Sequence, residues 1–164
     1  MLKLVQLDKA DWDGFILRNQ AAFREALEGE IAADEEVISR SDILQSLEAP
    51  TAQAFQVYWE GKLAGGIIVQ IEDSGYNSLD ILFVDGSFKG RGLGSKIWQA
   101  IEESYPDTQV WETHTPYFEK RNIHFYVNKC GFRIVEFFNP AHPMAHNPDF
   151  PSSDYFFRFE KQMK

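Results

Sequence analysis

The first 50 residues alternate between the periodicity of a strand and that of helices. Alternating side chains over residues 2–7 predict a strand that ends at Asp8, a residue type favoured at helix N-caps. Apolar residues then recur at helical spacing from Trp12 to about residue 28. A more acidic helical pattern runs from about Asp34 to Glu48, and Pro50 stops it. The predicted order is therefore strand, helix, helix.

The next segment predicts a hairpin followed by a buried strand. Residues 52–60 and 63–72 have extended character and are joined by the turn signal Glu60-Gly61-Lys62. After a second turn at residues 73–75, the run Leu79–Val84 is apolar at most positions, which is typical of a central strand. A glycine-rich loop leads from this strand into an amphipathic helix over residues 93–105.

The last 60 residues predict three more strands and one helix. Strand patterns cover Gln109–Thr113, Phe132–Phe138 and Tyr155–Lys161, and a helix is expected over Lys120–Lys129 with Gly131 as its C-cap glycine. Strand, helix and strand therefore alternate in the second part of the chain. This order predicts an α/β fold.

Composition restricts the class of protein. A chain of 164 residues with 44% hydrophobic residues is long enough for one compact domain, predicted over residues 1–164, and a single Cys excludes a disulfide framework. Neither a signal peptide nor a membrane span is apparent, so we expect a cytoplasmic protein that does not contact a membrane. The formal charge of −9 argues against a nucleic-acid partner. Residues 1–60 hold 12 of the acids and 5 of the bases.

The loop over residues 88–96 has the composition of an anion-binding site. It follows a strand, opens a helix, and carries three cations and no acid. Glycines allow close approach of the backbone, and the first N–H groups of the helix have no internal partner, so a phosphate group is the natural ligand. The P-loop and the dinucleotide fingerprint both fail here on the position of Ser95. A pyrophosphate loop of another type is indicated.

Two segments resemble the GNAT superfamily of N-acyltransferases. Lys89–Gly94 is similar to its acetyl-CoA pyrophosphate loop, with Lys89 where the family has Gln or Arg. Asn122–Phe132 resembles its later helix, in which a Tyr lies five residues before a Gly-Phe pair, here Tyr126 before Gly131-Phe132. The resemblance implies a single α/β (α+β) domain with a mixed, mostly antiparallel sheet of about seven strands and about four helices. It also implies acetyl-CoA as co-substrate, a cofactor-binding core over residues 79–138, and no metal.

The resemblance also implies roles for individual residues. Tyr126 would protonate the departing thiolate. Asp80 and Glu112 lie on the two strands that should flank the cofactor, so either of them could act through water as the general base that accepts the proton of the amine. A carboxylate that merely accepts structural hydrogen bonds, or loss of the proton to solvent, is the alternative for both acids. The implied cofactor-binding residues are Leu82, Phe83, Val84, Lys89, Gly90, Arg91, Gly92, Leu93, Gly94, Ser95, Lys96, Asn122 and Tyr126.

The histidines and the single cysteine are the other residues that could take part in catalysis or metal binding, and structural or surface roles are expected for most of them. His114 and His124 are further candidates for the general base, but each is expected to be a surface or capping residue. His142 and His146 are four residues apart, but three nearby prolines argue against the helix that a metal site would need. Their loop, residues 139–153, is expected to border the acceptor cleft. Cys130 beside the C-cap glycine is expected to be a small buried side chain.

The sequence thus predicts an N-acetyltransferase in which a primary amine attacks acetyl-CoA directly in a ternary complex. The acceptor is a small molecule or a peptide, and the acidic N-terminal part suggests a cationic one, although acidic helix faces are also ordinary features of soluble proteins. A non-catalytic acyl-CoA sensor and an interaction subunit with the same fold are the alternatives. A homodimer is among the oligomeric states left open.

Overall fold

The computed structural model describes residues 1–26, 38–117, 119–143 and 155–164. The elements are β1 (Leu2–Gln6), α1 (Trp12–Ala26), α2 (Arg40–Glu48), β2 (Ala52–Trp59), β3 (Lys62–Gln70), β4 (Tyr76–Val84), α3 (Leu93–Ser104), β5 (Val110–Pro116), α4 (Lys120–His124), β6 (Arg133–Phe138) and β7 (Phe156–Gln162). None of the helices in the described parts of the chain is long and apolar enough to span a membrane.

The seven strands form one sheet in the order β1-β2-β3-β4-β5-β7-β6. Strand β4 is parallel to β5, and the pairs β1–β2, β2–β3, β5–β7 and β7–β6 are antiparallel. The predicted mixed, mostly antiparallel seven-stranded α/β fold is confirmed.

The chain forms two compact units. The first unit contains residues 1–71 and 79–105, and the second contains residues 72–78 and 106–164. Strand β4 contributes its first three residues to the second unit and its last six to the first. The glycine-rich loop therefore belongs to the first unit, and the helix that carries Tyr126 belongs to the second.

The β2–β3 hairpin of the first unit has the turn that the sequence predicts. Glu60 and Gly61 both have positive φ, 50° and 78°, as a two-residue type I′ turn requires. Gly61 reaches this conformation without steric cost, whereas Glu60 is the only described non-glycine residue with positive φ. The strands pair antiparallel, with one irregularity between Val57 and Tyr58.

The core of the first unit forms where α1 and α2 pack on strand residues. Phe15 of α1 meets Phe83 of β4 edge to face, with ring centroids 5.2 Å apart. A Cβ at Gly66 would collide with both of these rings, so the glycine makes room for them. The buried members of the cluster are Leu7, Phe15, Ile16, Ala22, Ile43, Leu47, Ile68, Ile81 and Phe83.

The second helix begins later than its sequence pattern suggests. It starts at Arg40, and the Ser39 Oγ atom caps it by accepting a hydrogen bond from the Asp42 N–H group at 3.0 Å. A capping serine requires extended backbone at its own position, so a helix running through residues 38 and 39 is wrong. Residues 34–37 of the predicted helix, and the end predicted for α1 near residue 28, lie outside the described residues.

Strands β4 and β5 extend beyond their predicted limits because they pair with each other and with β7. Tyr76–Ser78 precede the predicted start of β4 at Leu79 and pair with the first three residues of β5. The predicted end of β5 at Thr113 is also too early, since pairing with β7 continues to Pro116. Pairing partners that are distant in sequence decide both limits, and apolar alternation alone does not reveal them.

The predicted helix over residues 120–129 has two different halves. Its first half is the α-helix α4, and residues 125–129 form a π-helical turn that is closed by a hydrogen bond from the Cys130 N–H group to the Phe125 carbonyl oxygen at 3.0 Å. Such i to i−5 bonding accommodates one extra residue in a turn. Gly131 follows with φ 85°, as expected of a C-cap glycine. The prediction of one regular helix is therefore wrong for its second half.

Asn19 on α1 provides a test of the core. Its side chain is fully buried, and neither amide atom has a hydrogen-bond partner among the described residues. Because an unsatisfied buried amide costs about 1–3 kcal/mol, Asn19→Leu should raise the melting temperature, by about 2–4 °C per kcal/mol. Calorimetry would measure this change, with Gln45→Leu on the exposed face of α2 as a control that should change stability little. A lower melting temperature for Asn19→Leu would mean that a buried water satisfies the amide.

Candidate functional site

The glycine-rich loop of the first unit adopts a conformation that only glycine tolerates well. Gly90 and Gly92 have φ values of 79° and 70°, and a Cβ at either position would contact no other atom within 4 Å. Backbone conformation, and not lack of space, therefore explains why glycine is needed at both positions. Gly92 is the N-cap of α3 and offers no side chain to cap it. The first N–H groups of α3 are thus available to an anion.

Three cations surround this loop. Arg91 lies over the Phe88 ring, and Lys96, in the first turns of α3, lies over the Trp59 ring, at 5.5 and 5.7 Å from the centroids. The Lys89 Nζ atom is 4.0 Å from the Glu25 carboxylate of α1, and both side chains are exposed. An exposed ion pair of this length contributes little stability, so Lys89 can exchange it for a phosphate group. With the positive end of the α3 dipole, the cations make the loop a site for an anionic ligand.

Strand β4 supplies the other predicted cofactor residues of the first unit. The Phe83 side chain is buried, whereas those of Leu82 and Val84 are partly exposed, and Leu93 at the start of α3 is buried in the core. Contacts from Phe83 or Leu93 to a ligand would therefore involve the backbone. A Cβ at Gly65 of β3 would collide with the Phe83 carbonyl oxygen. The sequence reasoning did not single out this glycine, which lets β3 approach β4 closely.

Asp80 is held by two hydrogen bonds within the first unit. Its Oδ2 atom accepts from the Ser46 Oγ atom at 2.6 Å and from the Gln70 Nε2 atom at 2.8 Å. The side chain is exposed and shares a strand face with Leu82 and Val84, as predicted. The geometry is that of a carboxylate with structural hydrogen bonds, the alternative to the general base. Its role in catalysis stays a prediction.

Tyr126 lies in an aromatic cluster of the second unit. Its ring centroid is 5.5 Å from that of Phe125, 5.8 Å from Phe132 and 5.5 Å from Phe159. Burial is the main cause that raises the pKa of the hydroxyl above its ordinary value of 10, and electrostatic interactions with Glu119 and Cys130 raise it further. A hydrogen bond with Thr113 acts in the opposite direction. Tyr126 therefore keeps its proton throughout the neutral range, as a proton donor must.

Asn122 belongs to a second group of hydrogen bonds in the same unit. Its Nδ2 atom donates to the Glu119 Oε2 atom at 2.6 Å, and the Thr115 Oγ1 atom donates to the same oxygen at 2.9 Å. Sequence reasoning did not identify Glu119. Its position next to the start of α4 is the only local signal, and its bond to Thr115 depends on where β5 ends relative to α4.

Glu112 is one of three carboxylates that bind Arg158 on strands β5, β6 and β7. The Arg158 Nη1 atom lies 3.2 Å from Glu112 Oε1 and 2.6 Å from Glu160 Oε2, and its Nε atom lies 2.7 Å from Glu136 Oε1. The Tyr76 hydroxyl donates to Glu160. Partial burial, this hydrogen bond and the charges of Glu112 and Glu160 raise the pKa of Tyr76 to about 12. The ion pair with Arg158 makes Glu112 part of a structural network, and its role as a base stays a prediction.

This network predicts a loss of stability in acid. Hydrogen bonds from His142 and Arg158 lower the pKa of Glu136, and those from Tyr76 and Arg158 lower the pKa of Glu160. A carboxyl with a lowered pKa stabilises the fold above its unfolded value of about 4.5, and that contribution is lost as the pH falls through the folded value. We expect the melting temperature to drop below about pH 4.5, and Arg158→Met to lower stability at pH 7 and flatten the acid dependence. Arg133→Met on β6 is the control and should keep the wild-type acid dependence. If the melting temperature of Arg158→Met fell in acid as much as that of the wild type, the prediction would be contradicted.

The remaining candidates are the four histidines and Cys130, of which His146 lies outside the described residues. The His142 ring is stacked on Phe138 with centroids 5.4 Å apart and contacts Glu136, whereas His146 lies outside the described residues with most of its loop. His124 is an exposed residue whose Nδ1 atom lies 2.8 Å from Asn128 Nδ2. Exposed His114 lies beside Phe138, and Cys130 is buried, as expected. The described residues contain no group of three or more His, Cys, Asp or Glu that could hold a metal.

Comparison with known proteins agrees with these observations. The sequence model of the acetyltransferase (GNAT) family matches residues 15–132. The uncharacterized protein YrkN of Bacillus subtilis (strain 168) is 41% identical over 98% of this chain and 89% of its own length. The ribosomal-protein-S18-alanine N-acetyltransferase of Escherichia coli has a similar fold, with a TM-score of 0.71 at 14% identity over 100% of this chain and 95% of that one. The PaiA N-acetyltransferase of Thermoplasma acidophilum, solved in complex with coenzyme A, superposes over 99% of both chains with a TM-score of 0.66 at 14% identity. This chain belongs to the GNAT acetyltransferase family.

Proposed function

We propose that this protein transfers the acetyl group of acetyl-CoA to a primary amine by direct attack in a ternary complex. The observation that carries the proposal is the loop before α3, which combines two glycines of positive φ, an uncapped helix N-terminus and three cations. These features together suit a pyrophosphate ligand. Family membership supports acetyl transfer as the reaction. Acetyl-CoA is the proposed co-substrate, and no metal is required by this chemistry.

The loop is proposed to bind the phosphates of the cofactor through both backbone and side chains. The N–H groups of Gly92, Gly94 and Ser95 would donate to the pyrophosphate, while Lys89 and Arg91 would neutralise its charge. The backbone of Leu82–Val84, on β4 beyond the three residues that pair with β5, would bind the pantetheine arm and polarise the thioester carbonyl. Because the backbone of β4 would make these contacts, hydrocarbon side chains suffice at residues 82–84.

The chemical step needs an acid for the leaving thiolate and a neutral amine. Attack of the amine nitrogen on the thioester carbon gives a tetrahedral intermediate, whose collapse breaks the carbon–sulfur bond. Tyr126 is proposed to donate its proton to the departing sulfur. The amine loses its proton to solvent or to a carboxylate acting through water, for which Asp80 and Glu112 are the proposed groups.

The proposed acceptor is a cationic amine, either a small molecule or part of a peptide. The 12 acidic residues among the first 60 would attract such a molecule electrostatically. Neither a nucleic acid nor a membrane is a proposed partner.

The direct experiment measures release of free CoA thiol from acetyl-CoA in the presence of a panel of amine acceptors. The panel contains polyamines, lysine-containing peptides, peptides with a free N-terminal amine, and aminoglycosides. We expect amine-dependent thiol release and an added mass of one acetyl group on the acceptor. Thiol release that does not depend on the amine would contradict the transferase. A thermal shift with acetyl-CoA and no transfer to any amine would favour the non-catalytic sensor instead.

A further inference from the structure

We propose that Glu119 is a positioning residue of the acetyl-transfer reaction, whose carboxylate fixes the orientation of the Asn122 amide and of the neighbouring Thr115 hydroxyl. The inference rests on the proposed function and concerns the second unit alone. Glu119 directly precedes α4, three residues before Asn122 and seven before Tyr126.

The first step of the argument is the orientation of Asn122. An ionised carboxylate can only accept hydrogen bonds, so the 2.6 Å contact requires Asn122 to present its Nδ2 group to the Glu119 Oε2 atom. The Asn122 Oδ1 atom is then the end of the amide that remains as an acceptor for other groups. Thr115 is oriented in the same way, because its hydroxyl must donate to the same Glu119 oxygen. One carboxylate therefore determines the orientation of two neighbouring polar side chains, those of Asn122 and Thr115.

The second step is that Glu119 is itself held in place. Its N–H group donates to the Pro116 carbonyl oxygen, and its own carbonyl oxygen accepts from the Ile123 N–H group, both at 3.1 Å. These bonds fix the backbone on both sides of the residue. The carboxylate also lies at the N-terminus of the helical segment, where the helix dipole favours a negative charge.

The kinetic test uses Glu119→Gln, which removes the charge and keeps the size of the side chain. We expect kcat to fall about tenfold with the KM for acetyl-CoA unchanged, because Asn122 loses the carboxylate that orients its amide. Glu103→Gln on the exposed end of α3 is the matched control and should leave both quantities unchanged. An unchanged kcat for Glu119→Gln would overturn the proposal.

A double-mutant cycle separates positioning from a general loss of stability. If Glu119 acts through Asn122, Glu119→Gln should lower kcat less than twofold in an Asn122→Ala background. The same tenfold loss in both backgrounds would overturn action through Asn122.

A readout that does not depend on activity keeps the proposal distinct from the proposed function. In nitrogen–proton spectra, the Asn122 side-chain amide, assigned with Asn122→Ser, should exchange slowly with solvent in the wild-type protein and faster in Glu119→Gln. Glu119→Asp, which keeps the charge on a shorter side chain, should also lose this protection. Equal exchange in wild type and Glu119→Gln would overturn the anchoring of Asn122. Absence of turnover in the wild type would refute the proposed function and leave this measurement valid.

Discussion

Tyr126→Phe is expected to lower kcat about 100-fold or more while changing the KM for acetyl-CoA little. Removing the hydroxyl would deprive the leaving thiolate of its proposed proton donor, and general acids typically contribute about 100- to 10,000-fold to a rate. The phenyl ring keeps its contacts with Phe125, Phe132 and Phe159, so the fold should be preserved. Steady-state thiol release with the best amine acceptor, together with a thermal melt, would measure both effects.

Tyr117→Phe is the matched control for this experiment. Tyr117 belongs to the same unit, but its side chain is 56% exposed and contacts Phe137, Tyr155 and Phe157. We expect turnover close to that of the wild type. If Tyr126→Phe also turned over at the wild-type rate, water or another group would supply the proton and Tyr126 would have only a packing role.

Replacing both Lys89 and Arg91 with Ala should raise the KM for acetyl-CoA about 10- to 100-fold. Charge-assisted hydrogen bonds contribute about 1.5–3 kcal/mol each, and exposure to solvent reduces this contribution. Neither side chain is part of the core, since Lys89 pairs with Glu25 and Arg91 lies over Phe88 at the surface. The double variant should therefore melt at nearly the wild-type temperature.

Acetyl-pantetheine makes this test specific for the phosphates, because it has the thioester and lacks every phosphate group. Its KM should be nearly equal in the wild type and in the Lys89→Ala/Arg91→Ala variant. Lys3→Ala/Lys62→Ala removes two exposed cations from β1 and β3 and controls for net charge. Equal losses for acetyl-CoA and acetyl-pantetheine would show that the loop cations do not bind phosphate.

The loop and its neighbouring elements could be predicted from sequence because their signals are local. Gly90 and Gly92 mark backbone of positive φ, and the apolar run Leu79–Val84 marks a strand whose central position in the sheet the structure confirms. The turn at Glu60 and Gly61 is local in the same sense. In each case the residues that determine the conformation lie within a few positions of one another.

Contacts between strands explain what could not be predicted. The three carboxylates around Arg158 meet because β7 pairs with β5 on one side and β6 on the other, with His114 and Glu136 opposite Arg158. A single sequence does not give this register. Glu119 was missed for a similar reason, since its partner Thr115 lies on a strand whose end is set by pairing with β7.

The π-helical turn before Cys130 makes the orientation of Tyr126 depend on the number of residues in this part of the chain. Residues 125–129 hold one residue more than an α-helical turn needs, and each residue of an α-helix corresponds to a rotation of about 100°. A one-residue deletion between Tyr126 and Gly131 could close this turn as a regular helix, but only by turning the Tyr126 ring away from Phe132 and Phe159. Among relatives, an insertion or deletion here would therefore change the site as much as a substitution of Tyr126 itself.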